Sequence, residues 1–235
     1  MDAILYKTSM ENIKLETYKL ISFDKITSTQ NFALDMIAEN RASDKTVIVA
    51  TSQTDGRGRY KRKWVSHSGN LYASFIYKIA QPDSRLSYAV AVAVAETLIH
   101  CGMSPKIKWP NDILIDGKKI CGILIEYAKD FVVVGIGINV NDAPIVSEYQ
   151  TTKTNNYATI TIPDLLKELI KNIDIWRNKN FESVRARWLE LAIGINQKIK
   201  YRGVMLRFSG LNDDGALILN DGERDIFVYG DEIVV

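Results

Sequence analysis

Five of the nine residues in Gly56-Arg57-Gly58-Arg59-Tyr60-Lys61-Arg62-Lys63-Trp64 are cationic, and two glycines punctuate them. Glycine lets backbone N–H groups approach a ligand closely. The planar fork of arginine meets carboxylate or phosphate oxygens bidentately and stays charged at any working pH. The segment therefore suits an anion held from several sides, with Arg57 and Arg59 as the first choices for contact. The same charges equally suit a solvated surface loop, or an RNA-binding patch in which Tyr60 and Trp64 stack on bases. The cluster alone does not decide.

Three further segments carry chemistry. In Lys108-Trp109-Pro110-Asn111-Asp112 a proline interrupts a strand-like run and sets Asn111 and Asp112 just beyond it. Asp112 could take Mg²⁺ through one carboxylate plus substrate phosphates, with Asn111 as a neutral partner; a plain Asn-Asp turn is the alternative. In Gly117-Lys118-Lys119-Ile120-Cys121-Gly122, Lys119 stands where a strand begins and could neutralise a carboxylate. Both lysines could equally be exposed hairpin residues, with Gly122 marking a bulge. In Gly135-Ile136-Gly137-Ile138-Asn139 small residues inside an apolar strand leave room for a flat ligand against the backbone.

Several chemistries are excluded. The glycines of 135–137 lie within a strand, not between a strand and a helix, which rejects a nicotinamide site. No Gly-x-x-x-x-Gly-Lys-Ser/Thr occurs, and His67 and His100 are too isolated for a triad or a metal cluster. A net charge of +2 over 235 residues gives no overall pull on nucleic acid or membrane. Cys101 and Cys121 have no zinc spacing, so reduced thiols and a cytoplasmic address are expected. Residues 1–5 lack the start of a secretion signal, and no apolar stretch approaches the roughly 18 residues of a membrane span.

These segments need a scaffold. Residues 28–40 read as a helix behind a Thr27 or Ser28 cap, 46–50 as a buried strand, 70–80 as a strand and 85–101 as a buried helix closed by Gly102. Residues 106–140 read as an antiparallel meander of three strands, 106–115, 120–127 and 131–140. A polar surface loop is expected over 151–156, then helices over 163–179 and 181–193, with Pro163 at a first helical position. After Gly194 short β segments broken by Gly203, Gly210, Gly215, Gly222 and Gly230 indicate a small barrel. The architecture expected is α+β with a mixed or antiparallel sheet in 1–193, followed by a small all-β domain in 194–235.

Taken in order, Gly-Arg-Gly-Arg…Trp, Lys-Trp-Pro-Asn-Asp, Lys-x-x-Gly-Ile-Leu-x-Glu and Gly-x-Gly-x-Asn resemble the biotin protein ligase family across almost the whole chain. Ser28-Thr29 resembles that family's biotin-contacting pair at a helix start, and Gln53 its glutamine before the arginine loop. The C-terminal part has an SH3-like counterpart there. The resemblance implies that biotin and MgATP give biotinyl-5′-adenylate and pyrophosphate. A lysine of a biotin carboxyl carrier protein then takes the biotinyl group.

On this resemblance Arg57 and Lys119 act at the biotin carboxylate and the bridging phosphate, and Arg59 serves loop closure and phosphate contact. Ser28, Thr29, Gln30 and Gln53 surround the ureido head, with Gly56, Gly58 and Gly122 along biotin; Trp64, Asn111 and Asn139 line the nucleotide, with Asp112 for Mg²⁺. The glycine-rich loop is expected to order over the adenylate. This chain departs from the family at Gln30, at Tyr60-Lys61 and at His67. Only 27 residues precede Ser28, too few for a DNA-binding domain with its own core, so a ligase-only form is expected. The meander edge is open to a protein partner, a homodimer included. A lipoate or octanoate ligase or transferase is the nearest rival and an RNA-binding protein the more distant one.

Overall fold

The computed structural model describes residue 15 and residues 17–230; residues 1–5, read above for a leader, lie outside the described residues. In chain order the elements are β1 (Lys19–Ile26), α1 (Thr29–Ala38), β2 (Thr46–Gln53), β3 (Leu71–Lys78), α2 (Leu86–His100), β4 (Lys106–Lys108), β5 (Asp112–Ile115), β6 (Lys118–Ala128), β7 (Phe131–Ile138), α3 (Ile162–Trp176), α4 (Phe181–Leu191), β8 (Lys198–Tyr201), β9 (Val204–Leu211), β10 (Leu217–Asn220) and β11 (Asp225–Val228). They divide into two compact units, one holding residues up to Pro82 with Lys118–Lys167, the other Asp83–Gly117 with the chain from Glu168 onward.

In the first unit five strands lie in the order β1-β2-β3-β7-β6. β1 pairs parallel to β2 and the other neighbours are antiparallel. The run Val47-Ile48-Val49-Ala50 is wholly buried, as a strand covered on both faces requires. Helix α1 starts where the Ser28 hydroxyl accepts from Asn31 N at 3.3 Å, filling one of the helix's orphan donors. Its Ala33, Met36 and Ile37 recur at helical spacing and pack on Ile48, Ile76 and Val133. At its other end Lys129 Nζ donates to the carbonyls of Ile37 and Ala38, both at 3.0 Å, placing a cation at the negative end of the helix dipole.

The register of the sheet matters for the site. Gly122 lies opposite Gly137, Leu124 opposite Gly135 and Glu126 opposite Val133; across the next pairing Gly137 faces Tyr72 and Gly135 faces Ser74. Alternation along a strand puts these residues on one face, two glycines side by side with a third one step along.

The second unit is built on α2. Its run from Tyr88 to Ala95 is entirely buried, as expected of a helix apolar all round. α4 packs on it, and the fully buried Trp188 lies edge-on between Tyr88 (5.3 Å) and Phe208 (6.3 Å). Tyr88 Oη donates to Gly215 O at 2.6 Å and accepts from Trp109 Nε1 at 3.2 Å. Strands β8 to β11 form their own antiparallel sheet in the order β11-β10-β9-β8, starting just beyond Gly194.

Two expectations need correction. Residues 106–115 do not make one strand: β4 and β5 fold back on each other, with Lys106 opposite Leu114 and Lys108 opposite Asp112. Trp109-Pro110-Asn111 forms the turn, and the Trp109–Pro110 peptide is cis. The polar stretch 151–156 is not a loose surface loop. Thr152 and Thr154 are buried, Thr154 N donates to Asn139 O at 3.0 Å and Asn139 Nδ2 donates to Thr152 O at 3.0 Å. Pro163 lies in the first turn of α3, after Ile162. Among the described residues no helix is long and apolar enough to cross a membrane.

Candidate active site

The site residues of the first unit are joined by one chain of hydrogen bonds. Thr29 donates to Gln53 Oε1 through its backbone N (2.8 Å) and its hydroxyl (3.2 Å). Gln53 Nε2 donates to Ser66 Oγ at 2.9 Å, and Ser66 Oγ to Trp64 O at 2.9 Å. On the other side Ser74 Oγ lies 2.9 Å from Thr29 Oγ1 and 3.0 Å from Gln30 Oε1, with one proton to give. Gln30 Nε2 donates to Glu126 Oε2 at 3.0 Å. Thr29, Gln30 and Ser74 are all buried, so the chain also satisfies polar groups that would otherwise be costly. Ser28 is fully buried as well, and its hydroxyl oxygen is engaged as the α1 cap.

Arg57 does not stand as an uncommitted cation. Its guanidinium forks onto Glu126, Nη2 to Oε1 at 2.8 Å and Nη1 to Oε2 at 3.2 Å, while Nη1 also donates to Asn31 Oδ1 at 2.8 Å. The base of the arginine loop is thereby tied to β6 and α1. The loop then closes on itself: Gly58 N donates to Arg62 O (2.7 Å) and Trp64 N to Gly56 O (2.8 Å). Gly56 is required by this closure, since a Cβ there would lie 2.4 Å from both Ser66 Oγ and Trp64 O. That is a close approach of the Gly56 backbone to the Trp64 carbonyl and the Ser66 hydroxyl.

Part-exposed ion pairs are discounted for screening, so the fork onto Glu126 holds the loop by about 1 kcal/mol, near fivefold in its opening equilibrium. Glu126→Ala should therefore raise tryptic cleavage within 57–63 about fivefold, because cleavage follows the open population. Unchanged cleavage would show that the pair does not hold the loop.

The glycine floor has an occupant from the chain itself. A Cβ on Gly137 would meet Trp64 Nε1 at 2.5 Å, and one on Gly122 would meet Trp64 Cζ3 at 2.8 Å, so the indole lies flat on both strands. Gly135 makes room for the Gln30 amide in the same way, with Oε1 at 2.5 Å from a notional Cβ. The space expected for a flat ligand is thus shaped around a flat side chain. Lys119 Nζ stands 5.3 Å from the Trp64 ring centroid and 4.7 Å from that of Tyr149. Trp64 Nε1 and Asn139 Oδ1 are among the buried polar atoms without a hydrogen-bond partner, so both could still pair with an arriving group.

The rest of the loop faces outward. Arg59 and Arg62 lie over the Tyr60 ring at 4.9 and 5.9 Å, and the tyrosine stays largely exposed. Tyr60 and Lys61 both take left-handed backbone, at φ 53 and 60. Downstream, His67 Nδ1 and Asp142 Oδ2 are 2.8 Å apart. Burial pushes the Tyr72 phenol well up, so it keeps its proton and donates to His67 O at 2.7 Å.

Asn111 and Asp112 belong to the hairpin of the second unit, Asp112 opening β5. Among the described residues no group of three or more His, Cys, Asp or Glu gathers as a metal site would need. A single carboxylate fits a Mg²⁺ ion delivered on phosphates better than a resident one.

Sequence reasoning quoted Glu126 as the last letter of a motif but gave it no role, and it passed over Asn31, Ser66 and Ser74. Ser74 had a signal, being a small polar residue inside the aromatic-rich strand Leu71-Tyr72-Ala73-Ser74-Phe75. The others showed none, since Glu126, Asn31 and Ser66 meet Arg57, Arg57 and Gln53 from well along the chain.

With this geometry in hand, the chain can be placed among known proteins. Residues 22–141 match the biotin/lipoate A/B protein ligase family. A bifunctional ligase/repressor BirA of Bacillus subtilis is 33% identical over 238 residues, covering 91% of this chain and 73% of the relative. A biotin–[acetyl-CoA-carboxylase] ligase of Mycobacterium tuberculosis is 31% identical over 236 residues, covering 90% and 88%. Among solved structures, the biotin protein ligase of Aquifex aeolicus in complex with biotin and ATP superposes with a TM-score of 0.77 at 28% identity, covering 92% of this chain and 97% of that one.

Proposed function

The chain belongs to the biotin/lipoate A/B protein ligase family, and we propose that within it this protein is the ATP-dependent ligase that attaches biotin to a biotin carboxyl carrier protein. The observation that carries the reading is the joined site of the first unit. An amide and hydroxyl network of buried Thr29, Gln30 and Ser74 with part-buried Gln53 runs into the loop that seats Trp64 beneath the ammonium of Lys119. That is a neutral polar receptor connected to an aromatic wall and a cation, and biotin has a neutral ureido head and an anionic tail. Among the relatives, the named substrate is biotin, which favours it over lipoate or octanoate.

In the first step a carboxylate oxygen of biotin attacks the α-phosphorus of ATP. A C–O–P linkage forms, the Pα–O–Pβ bond breaks and pyrophosphate leaves. Two anions are forced together, so the residues act by charge and position. Lys119 and Arg59 neutralise the carboxylate and phosphate oxygens, and Trp64 separates the biotin tail from the nucleotide. Asn139 Oδ1 accepts from the adenine amino group. Asn111 and Asp112 would hold a Mg²⁺ ion arriving with ATP, which would supply further charge neutralisation at the phosphates. Arg57, held on Glu126, anchors the loop and shapes the biotin side with Gly56, Gly58 and Gly122. In the second step the carrier's lysine amine attacks the acyl carbon of the mixed anhydride. AMP leaves, and the amine proton is lost as the amide forms.

We further propose that 1–193 is the catalytic domain and 194–235 a small β domain, a division supported by the separate sheet of β8 to β11. The cytoplasm, where ATP and carrier coexist, is its place of action.

The test is to incubate the protein with biotin, MgATP and a biotin carboxyl carrier domain and follow the carrier by intact mass. The expected result is the gain of one biotinyl group on one lysine, and none when that lysine is replaced by arginine. A carrier left unmodified, or modified as well from octanoate or lipoate, overturns the assignment.

A further inference from the structure

We infer that Tyr149 is a positioning residue for adenylation: its ring and the indole of Trp64 hold the Lys119 ammonium where the substrate carboxylate and phosphate meet. The inference rests on the ligase reading above. It concerns a residue beyond residues 22–141 that match the family and outside every motif of the sequence.

A lysine ammonium is a compact charge on a flexible four-carbon stem, so where it sits must be imposed by its surroundings. Cations are drawn to aromatic faces within about 6 Å of the ring centroid. Lys119 Nζ meets that condition twice, at 4.7 Å from Tyr149 and 5.3 Å from Trp64. The two rings come from opposite sides of the sequence, Trp64 ending the arginine loop and Tyr149 preceding the buried threonines.

Tyr149 is placed by backbone that is itself fastened to Lys119. Lys119 N donates to Gln150 O at 2.9 Å, Thr152 N donates to Lys119 O at 3.0 Å, and Thr151 bridges to Lys119. The ring therefore travels with the strand end that carries the lysine. Trp64 is fixed separately, on the glycines of β6 and β7. A cation set between two such rings is oriented before substrate arrives, and preorganised charge is what favours a transition state over a bound ground state.

The consequence falls on rate more than on binding. Biotin-dependent exchange of pyrophosphate into ATP should fall about tenfold in maximal rate in Tyr149→Leu, with the KM for ATP within about threefold, since placement of one charge is lost but no nucleotide contact. Tyr149→Phe keeps the ring face and should recover most of the rate. In a Lys119→Ala background, Tyr149→Leu should cost less than about twofold, because a residue acting through a partner has no effect once the partner is gone.

A tenfold fall in Tyr149→Leu, recovered by phenylalanine and absent in the Lys119→Ala background, supports the inference. Wild-type rate in Tyr149→Leu overturns it, and so does an equal fall with phenylalanine or an equal fall in the Lys119→Ala background. The wild-type protein run alongside keeps the two readings apart: no biotin-dependent exchange there defeats the ligase assignment itself.

Discussion

Gly137→Ala is expected to cost adenylation about a hundredfold or more while the sheet remains formed. The added methyl would lie 2.5, 2.7 and 3.0 Å from Trp64 Nε1, Cε2 and Cζ2. Those atoms belong to a rigid bicycle, not to the end of a flexible chain, so the indole must leave its place on β7. Overpacking of this kind typically costs about 1–3 kcal/mol of stability. β7 itself is held on both sides, Gly137 pairing with Tyr72 and Gly122, so the strand should survive. The displaced indole would take the ring from under Lys119 and drag the Ser66–Gln53 chain through Trp64 O. Steady-state exchange alongside thermal melting checks this. Wild-type exchange in Gly137→Ala would mean that the seat of Trp64 is irrelevant to catalysis.

Lys119→Ala is expected to lower the same rate by about a hundred- to a thousandfold, the usual cost of removing one charged or hydrogen-bonding group from a developing anion. Lys119→Arg should rescue little of it, because the wider planar guanidinium does not reproduce a compact ammonium set between two rings. Arg57→Ala should behave differently. Its guanidinium is engaged by Glu126 and Asn31, so its loss should loosen the loop and leave the Lys119 ammonium in place. Equal, complete inactivation by Arg57→Ala and Arg57→Lys with a loop still resistant to trypsin would return Arg57 to the chemistry.

Much of this was legible from residues alone. The Ser28 cap and the apolar spacing of α1, the buried run of β2 and the Ala-Val face of α2 all lie where their patterns place them. Residues named from the family motifs gather in space: Thr29, Gln30, Gln53, Arg57 and Trp64 are joined, with Lys119 at the edge of the group. Other parts were hidden for physical reasons. Residues 106–115 alternate on both sides of Trp109-Pro110-Asn111 and so read as one strand, although the proline sits in a turn. The threonines of 151–156 look like solvent-loving loop residues, yet they pair with the backbone and amide of Asn139. The glycines read as room for a flat ligand, and sequence cannot say that the flat group lying on Gly122 and Gly137 is Trp64. Nor can it show that the first arginine of the loop is answered by a glutamate far along the chain. Charge is visible in sequence and its partner is not.

The most direct test of the central claim is the exchange of labelled pyrophosphate into ATP by the wild-type protein, with biotin present, with biotin absent, and with octanoate or lipoate in its place. Activation of biotin as the adenylate predicts exchange that requires biotin and does not occur with the other two acids. No exchange with biotin, or exchange as fast with octanoate, would contradict it.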